Sequence, residues 1–359
     1  MSEALAPEDR LRLQVLLAQD LKAVRLDEAN MVLVALTAKG EASLPLHPTG
    51  RPEKYLRLVK ELLSGHALGS PGGYPVYLSR WTRHGQMETD NLGKLLLIGE
   101  PEAVVAVVHS PALTDELAEY AWWAMPTIEH ARLMLRREKV ARGRMGRVLA
   151  DFLVEHLPFL QDDHPAILDT VAVLLGSGVL DAGQRTVIWR RGKRTNTYYV
   201  PFLELMPNDL PEDDARPRPH PAADALTVLA NEANAAARSL QWACSAQGQT
   251  FLTAAAEVLA RPETQEVVNH LFNALGAAFR PAGSSPDDPL PGIETARQTC
   301  PELEAEWAAI EALARVSEAQ LTPIFARSSA IGSLMRRKIA PLVDPLQAHI
   351  RILRGQQAA

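Results

Sequence analysis

The sequence has few cysteines, few aromatic residues and no long apolar run, and each shortage argues against a class of protein. Only two of its 359 residues are cysteines, too few for the disulfide framework of a small secreted domain. They form no CxxC pair and have no zinc-ligand spacing to the histidines, so we predict no metal site. No stretch approaches the roughly 18 apolar residues of a membrane-spanning helix. The acidic start, with Glu3, Glu8 and Asp9, does not resemble a secretory signal, and we expect a cytoplasmic protein.

Motifs for catalysis are also missing. The glycine-rich stretch GSPGG at 69–73 has neither the preceding strand nor the GK[ST] of a phosphate-binding loop, so we predict that it binds no nucleotide. No nucleophile elbow and no HExxH is present. The sequence therefore favours a protein without enzymatic activity, and we predict no cofactor.

The charges are unevenly distributed. The formal net charge is −6, yet the stretch 132–147 holds seven basic residues and one acid, and the stretch 185–194 holds five basic residues and no acid. Such stretches are commonly solvated helix faces, but together they would form a surface that attracts anions. We expect the two stretches to lie on neighbouring helices if the helical hairpins stack on one another.

Hydrophobic periodicity predicts a mainly α-helical fold. A short helix is followed by β-prone runs over about residues 22–46, and amphipathic helices continue from there. We expect helical hairpins, either a short α-solenoid or an irregular bundle, with a small N-terminal β ribbon and a C-terminal helical bundle. The predicted domains are a helix with the β ribbon, a helical-hairpin domain, a proline-rich acidic linker and the C-terminal bundle, at 1–50, 51–206, 207–224 and 225–359.

Apolar residues at helical spacing also predict one long helix near the start of the C-terminal bundle. The stripe consists of leucines and alanines at positions 226, 229, 233, 236, 240 and 243.

The first candidate binding face follows the glycine-rich turn. If a helix begins at Pro75, then Tyr74, Tyr77 and Trp81 share one face, and Arg80 and Arg83 lie beside them. In a chain with only 5% aromatic residues, this cluster is either a packing anchor or a face that binds a protein partner.

The second candidate face lies in the other basic stretch. Arg190, Arg191 and Arg194 are followed by Tyr198 and Tyr199, a combination of cations and aromatic rings that binds single-stranded nucleic acid in other proteins. The partner predicted here is a protein, with RNA as the alternative.

The two thiols differ in context. Cys244 falls on the apolar stripe, which predicts a core thiol. Cys300 precedes Pro301 at a predicted helix N-terminus, where the helix dipole lowers the pKa of a thiol. Cys300 is therefore the candidate reactive thiol, and it supports a second alternative, a sulfur-handling protein.

Two long stretches carry a family resemblance. They are ELLSGHALGSPGGYPVYLSRWTRHGQM at 61–87 and GEPEAVVAVVHSPALTDELAEYAWWAMP at 99–126. They resemble the DsrS family, soluble proteins encoded with the reverse-acting dissimilatory sulfite reductase system of sulfur-oxidising bacteria. The resemblance implies a cytoplasmic accessory role in sulfur oxidation and supplies no catalytic residues. The leading interpretation is a non-catalytic accessory or regulatory protein that binds a protein partner.

Overall fold

The mainly helical fold with a small N-terminal sheet is confirmed. A computed structural model shows nineteen α-helices and one three-stranded sheet within the residues that it describes. The chain forms two compact units, Met1–Glu155 and His156–Ala359, called unit 1 and unit 2. The described residues are 5–69, 89–211, 222–326 and 332–356.

Unit 1 combines the sheet with eight helices of the described part. In chain order its elements are α1 (Pro7–Leu17), β1 (Leu21–Asp27), β2 (Val32–Thr37), β3 (Gly40–Pro45), α2 (Pro52–Leu68), α3 (Thr89–Leu95), α4 (Pro101–His109), α5 (Asp115–Ala124), α6 (Ile128–Leu135), α7 (Glu138–Ala141) and α8 (Arg144–His156).

The sheet is an antiparallel ribbon in the order β1-β2-β3, with Val24 opposite Ala35 and Leu33 opposite Leu44. Side chains alternate between its faces, and one face packs against α1 and α2. The resulting core is built from buried aliphatic residues of all three parts, among them Leu13, Leu16, Val24, Leu33, Ala35, Val59 and Leu63.

A buried carboxylate ties α1, α2 and the end of the ribbon together. Asp9 is fully buried; it accepts hydrogen bonds from the backbone N–H of His47 at 2.7 Å and from the Tyr55 hydroxyl, and its Oδ1 lies 3.0 Å from Nδ1 of His47. Burial raises the pKa of Asp9, but the hydrogen bonds from His47 and Tyr55 outweigh it and hold that pKa below its ordinary value of 3.8. The charge is therefore stabilised inside the unit.

The described part of unit 2 is entirely helical. Its α-helices are α9 (His164–Ser177), α10 (Ala182–Arg191), α11 (Tyr199–Leu205), α12 (Ala223–Asn231), α13 (Ala235–Cys244), α14 (Ala246–Ala260), α15 (Gln265–Phe279), α16 (Ile293–Thr299), α17 (Glu304–Ala314), α18 (Thr322–Phe325) and α19 (Gly332–Leu353). Short 3-10 helices cover Leu157–Leu160, Asn196–Tyr198, Pro301–Leu303 and Glu318–Gln320.

The unit boundaries differ from the predicted domains, because packing crosses both predicted divisions. The ribbon shares its core with α2, and α11 packs against α15 on the far side of the proline-rich segment. Leu210, near the start of that segment, is also held by Gln247 of α14: its N–H donates to Oε1 at 2.7 Å and its carbonyl accepts from Nε2 at 3.2 Å. Residues 212–221 of the predicted linker lie outside the described residues, so the linker stays a prediction.

The single long helix predicted over the apolar stripe is wrong, since the chain forms α12 and α13 there. Ala233 between them has a φ of 65°, in the left-handed region. The N–H of Asn234 bonds to the carbonyl of Leu229 and that of Ala233 to the carbonyl of Ala230, the pattern of a Schellman C-cap. Asn234 then caps α13 by accepting from the N–H of Ala237 at 3.0 Å.

Aromatic residues fill the core of unit 2. Trp242 packs edge-on against Phe251 and Phe279, with ring centroids 5.2 and 5.5 Å apart. Trp242 is partly buried, whereas Phe202, Phe251, Phe272, Phe279 and Trp307 are fully buried. Within the described ranges, no helix combines the length and the apolarity needed to cross a membrane.

Candidate binding site

The two predicted binding faces have different outcomes. The first, Tyr74, Tyr77, Arg80, Trp81 and Arg83, lies outside the described residues. Of its surroundings the structure describes only the end of α2 and Gly69, which has a φ of 66° as its C-cap. That face stays a prediction.

The basic stretch 132–147 is largely neutralised by its own neighbours in unit 1. Four of its arginines pair with carboxylates, and Arg137 donates to the carbonyl of His109 at 3.0 Å. The four pairs are Arg132–Glu129 at 3.7 Å, Arg142–Glu138 at 2.7 Å, Arg144–Glu119 at 2.9 Å and Arg147–Asp151 at 3.0 Å. This stretch is mainly a set of local ion pairs on helix surfaces, worth little to binding or to stability.

The stretch 185–194 of unit 2 is different, and α10 positions it. Asp181 and Gln184 form a capping box at the start of the helix. Near its end, the ring of buried Trp189 lies 4.5 Å from that of Tyr199 and 5.3 Å from that of Phe202, which fixes the helix against α11. Arg185 pairs with Asp209. Among the described residues, Arg191 and Arg194 form no ion pair.

A close contact fixes the turn that follows α10. Gly192 is buried, and a Cβ at this position would overlap the ring of Tyr199. Beyond it the chain folds back, because the N–H groups of Arg194 and Thr195 both donate to the carbonyl of Arg191 at 3.0 Å. This tight turn brings Arg194 and Thr195 to the same side of unit 2 as Arg191.

Arg191, Arg194 and Thr195 line a cavity of about 440 Å³, together with Pro158, Gln161, Asp162 and Tyr198. We call it the arginine cavity. The segment from Pro158 to Asp162 supplies one wall, and the chain from Arg191 to Tyr198 supplies the other. The volume lies within the range of small-molecule sites, about 300 to 1,000 Å³.

The two walls are joined beneath the cavity. The Tyr198 hydroxyl donates to the carbonyl of Leu157 at 3.1 Å, and Nδ1 of His164 lies 2.9 Å from the hydroxyl oxygen of Thr197. Burial raises the pKa of Tyr198, and the positive charge of Arg191 opposes that rise. The Tyr198 side chain is therefore a neutral, structural part of the wall.

The cavity is electropositive and keeps donors available. Two arginines against one aspartate, Asp162, leave its lining with a net positive charge. The Nε of Arg191 is buried and has no hydrogen-bond partner within the described structure. Since neither Arg191 nor Arg194 forms an ion pair among the described residues, their guanidinium groups can bind an anion in the cavity.

Exposed apolar residues lie close in the chain to the residues that line the cavity, and we call them its rim. Phe159, between the lining residues Pro158 and Gln161, is 74% exposed. Val187, one turn before Arg190 and Arg191 on α10, is 49% exposed. Arg190 is exposed but does not line the cavity. An aromatic ring and basic side chains at a surface are typical of protein-binding sites.

The tyrosines proposed to stack on RNA bases are buried. Tyr198 is 5% exposed and Tyr199 is 4% exposed, and the ring of Tyr199 is covered by Trp189 and by Gly192. Base stacking needs an open ring face. Only the basic charges of this stretch therefore still support RNA binding; the tyrosines do not.

The expected order of thiol reactivity is reversed by burial. Cys300 does precede a helical turn, but that turn is the 3-10 helix Pro301–Leu303, and the residue is fully buried. Burial, with a contribution from Glu302, raises the pKa of Cys300, which lowers its thiolate fraction. Cys244, at the end of α13, is only partly buried, so we now expect it to react first.

Sequence reasoning missed half of the arginine cavity. Arg191 and Arg194 were found from their charge, whereas Pro158, Gln161 and Asp162 come from a segment about thirty positions earlier in the chain. One sign of a special site there is the backbone of Gln161, with a φ of 44°, a region that residues other than glycine rarely adopt. This strain is visible only in the folded chain.

Comparison with known proteins gives no relative. No family model matches the chain, and neither the curated proteins nor the solved structures searched contain a match. Within the described residues, no group of three or more histidine, cysteine, aspartate or glutamate side chains is arranged to hold a metal ion.

Proposed function

We propose that this chain is a cytoplasmic, non-catalytic accessory or regulatory protein of bacterial sulfur oxidation, and that it acts by binding a protein partner. The resemblance of residues 61–87 and 99–126 to the DsrS family supports the sulfur-oxidation context. The arginine cavity and its rim support the binding role. We propose that an acidic segment of the partner docks there.

The observation that carries the proposal is the contrast between the two basic stretches. Four arginines of 132–147 already have carboxylate partners, whereas Arg191 and Arg194 have none among the described residues. Unpaired arginines can form charge-assisted hydrogen bonds with a partner's carboxylates without first breaking an internal pair. The exposed ring of Phe159, next in the chain to the lining residue Pro158, adds apolar area, so the site combines two kinds of contact common in protein interfaces.

The test is capture of partners from a sulfur-oxidising bacterium, followed by reconstitution. The tagged chain is used to purify retained proteins, which are identified by mass spectrometry, with and without nuclease treatment. The charge-reversed variant Arg191→Glu/Arg194→Glu is compared with Arg336→Glu/Arg337→Glu on α19, which makes the same change in net charge away from the cavity. We expect the first variant to lose the partner and the second to keep it.

Salt and a purified partner sharpen the test. If the arginines act through charge, the dissociation constant of the purified partner should rise as the Debye length shrinks below about 8 Å. Equal retention of the partner by both variants would contradict the proposed site. Loss of all captured material after nuclease treatment would instead favour RNA as the partner.

A further inference from the structure

We infer that the arginine cavity is also a binding site for a small organic phosphate, with the phosphate group at Arg191 and Arg194 and the organic part against Pro158. The inference deepens the proposed function, since it gives the same residues a small ligand that would compete with an acidic partner.

The shape of the site supports a small ligand. A protein partner needs an accessible surface, and the rim with Phe159 supplies one. The cavity itself is a recess of about 440 Å³ between two chain segments, larger than a single carboxylate needs. A ligand that carries an organic group as well as its anionic group would fill more of this volume.

The donors match a phosphate group. Arg191 and Arg194 each carry a planar guanidinium, which pairs with oxyanions through two parallel hydrogen bonds. Thr195 adds a hydroxyl and Gln161 adds an amide. A phosphate monoester has three terminal oxygens to share among such donors, whereas a carboxylate has only two.

The two arginines differ in exposure. Arg191 is partly buried and Arg194 is exposed, and neither forms an ion pair among the described residues. Water and salt screen a partly buried charge less, so an oxyanion gains more from pairing with Arg191 than with a fully exposed arginine.

The remaining lining suits an organic group. Pro158 is exposed and offers apolar surface, and Asp162 is the acidic side chain of the lining. Asp162 lies on the wall opposite the arginines and accepts hydrogen bonds, which favours a ligand with a hydroxyl or amino group on its organic part. Inorganic phosphate satisfies the arginines but leaves this surface uncovered.

The experiment measures the binding of three probes to the full chain by calorimetry at constant ionic strength. The probes are phenyl phosphate, inorganic phosphate and phenol. We expect saturable binding of phenyl phosphate, binding of inorganic phosphate weaker by about tenfold, and none of phenol, because the anion anchors the ligand and the ring adds apolar contact. Absence of saturable phenyl phosphate binding, or equal affinity for phenyl and inorganic phosphate, would overturn the inference.

Variants locate the binding. Arg194→Gln removes an exposed side chain with little risk to folding and should weaken phenyl phosphate at least about tenfold. Arg191→Gln should weaken it further, while Arg336→Gln/Arg337→Gln should have no effect. As a direct readout, the NMR signal of the Arg191 Nε–H group, assigned by its loss in Arg191→Gln, should shift on addition of phenyl phosphate. An unshifted signal, or unchanged affinity in Arg194→Gln, would contradict the site.

The two proposals fail separately. If Arg191→Glu/Arg194→Glu loses phenyl phosphate but still captures the partner, the ligand site stands and the docking site of the proposed function is wrong. If it loses the partner but keeps phenyl phosphate, the docking site stands and this inference is wrong. If phenyl phosphate displaces the purified partner from the unmodified chain, both are supported.

Discussion

Unit 1 and unit 2 differ in how they pair the buried polar atoms of charged side chains. In unit 1, the carboxylate of Asp9 is surrounded by His47 and Tyr55, which supply its hydrogen bonds. In unit 2, the Nε of Arg191 is buried without a hydrogen-bond partner among the described residues. A buried charge with all its partners is part of the packing, whereas the exposed guanidinium of Arg194, with no ion pair among the described residues, can bind an anion from solvent. The satisfied polar cluster lies in unit 1, and the candidate binding site lies in unit 2.

The largest expected effect concerns the satisfied cluster. Asp9→Asn keeps the size of the side chain but turns an acceptor that serves His47 and Tyr55 into a partial donor, so buried donors lose their partners. We expect unit 1 to lose about 3 kcal/mol of stability. Hydrogen exchange resolved by mass spectrometry measures this unit by unit, and unit 2 should be unchanged.

The control and the pH dependence follow from the same contacts. Tyr55→Phe removes a single hydrogen bond and should cost only about 1 kcal/mol. Because the pKa of Asp9 is lowered in the folded state, its contribution is present above pH 3.8 and is lost as the pH falls through the lowered value. Asp9→Asn should therefore flatten the acid limb of the stability curve. If Asp9→Asn and Tyr55→Phe lowered the stability of unit 1 equally, the buried carboxylate would have no special role and the contrast between the units would be wrong.

The next effect tests the turn that presents the arginines in unit 2. Gly192→Ala places a Cβ against the ring of Tyr199, and overpacking of this kind costs about 1 to 3 kcal/mol. The matched control is Gly176→Ala in α9, where a Cβ meets nothing within 4 Å and should stabilise the helix by about 0.5 to 1 kcal/mol. Thermal unfolding measures both, and phenyl phosphate binding should weaken only in Gly192→Ala.

A smaller effect concerns the two thiols of unit 2. Cys244 should react with a maleimide at least about tenfold faster than Cys300, because a fully buried thiol reacts only after local opening of the structure. Peptide mapping after short labelling times measures the two rates. Faster labelling of Cys300 would restore the sequence-based expectation and would show that the 3-10 helix at Pro301–Leu303 opens readily.

The smallest effect concerns a partly exposed pair between α11 and α15. His270 Nδ1 lies 3.0 Å from Oε2 of Glu204, and this hydrogen bond, with the charges of Glu204, Glu318 and Glu266, raises the pKa of His270 above 6.5. The pair therefore stabilises unit 2 below pH 6.5, and this contribution is lost as the pH rises through the raised value.

Glu204→Gln tests this pair. The variant should bring the pKa of His270 back down, as followed by NMR titration, and should change the stability by less than about 1 kcal/mol, since solvent screens the pair. Glu266→Gln, which removes a more weakly acting charge, should shift the pKa less. An unchanged pKa of His270 in Glu204→Gln would contradict the assigned cause.

Local patterns predicted the elements, while contacts between distant segments determined the rest. The change from helical to alternating periodicity near Lys22 correctly located the ribbon, because each period follows from backbone geometry. The unbroken apolar stripe predicted one helix across the end of α12. Ala233 adopts a left-handed conformation there, which is not expected of an alanine. Domain boundaries are hard to predict from sequence for a similar reason: prolines mark a break in a helix, but only packing shows whether the flanking helices separate.

The binding site shows the same division. Charge alone pointed to Arg191 and Arg194, since a basic run without acids is visible in the sequence. Their unpaired state, and the wall formed by Pro158 to Asp162, depend on how the segments meet. The burial of Cys300 and of Tyr198 likewise depends on neighbours far along the chain.

The left-handed alanine between α12 and α13 has an evolutionary consequence. Glycine is the usual residue at this position of a Schellman cap, and an alanine there carries strain of about 1 kcal/mol. Alanine and glycine codons differ by one base, so a single point mutation at residue 233 releases that strain without touching the arginine cavity. A lineage that acquires a destabilising but useful substitution elsewhere in unit 2 thus has a compensating change within one mutational step, and selection for heat resistance should recover Ala233→Gly early and repeatedly.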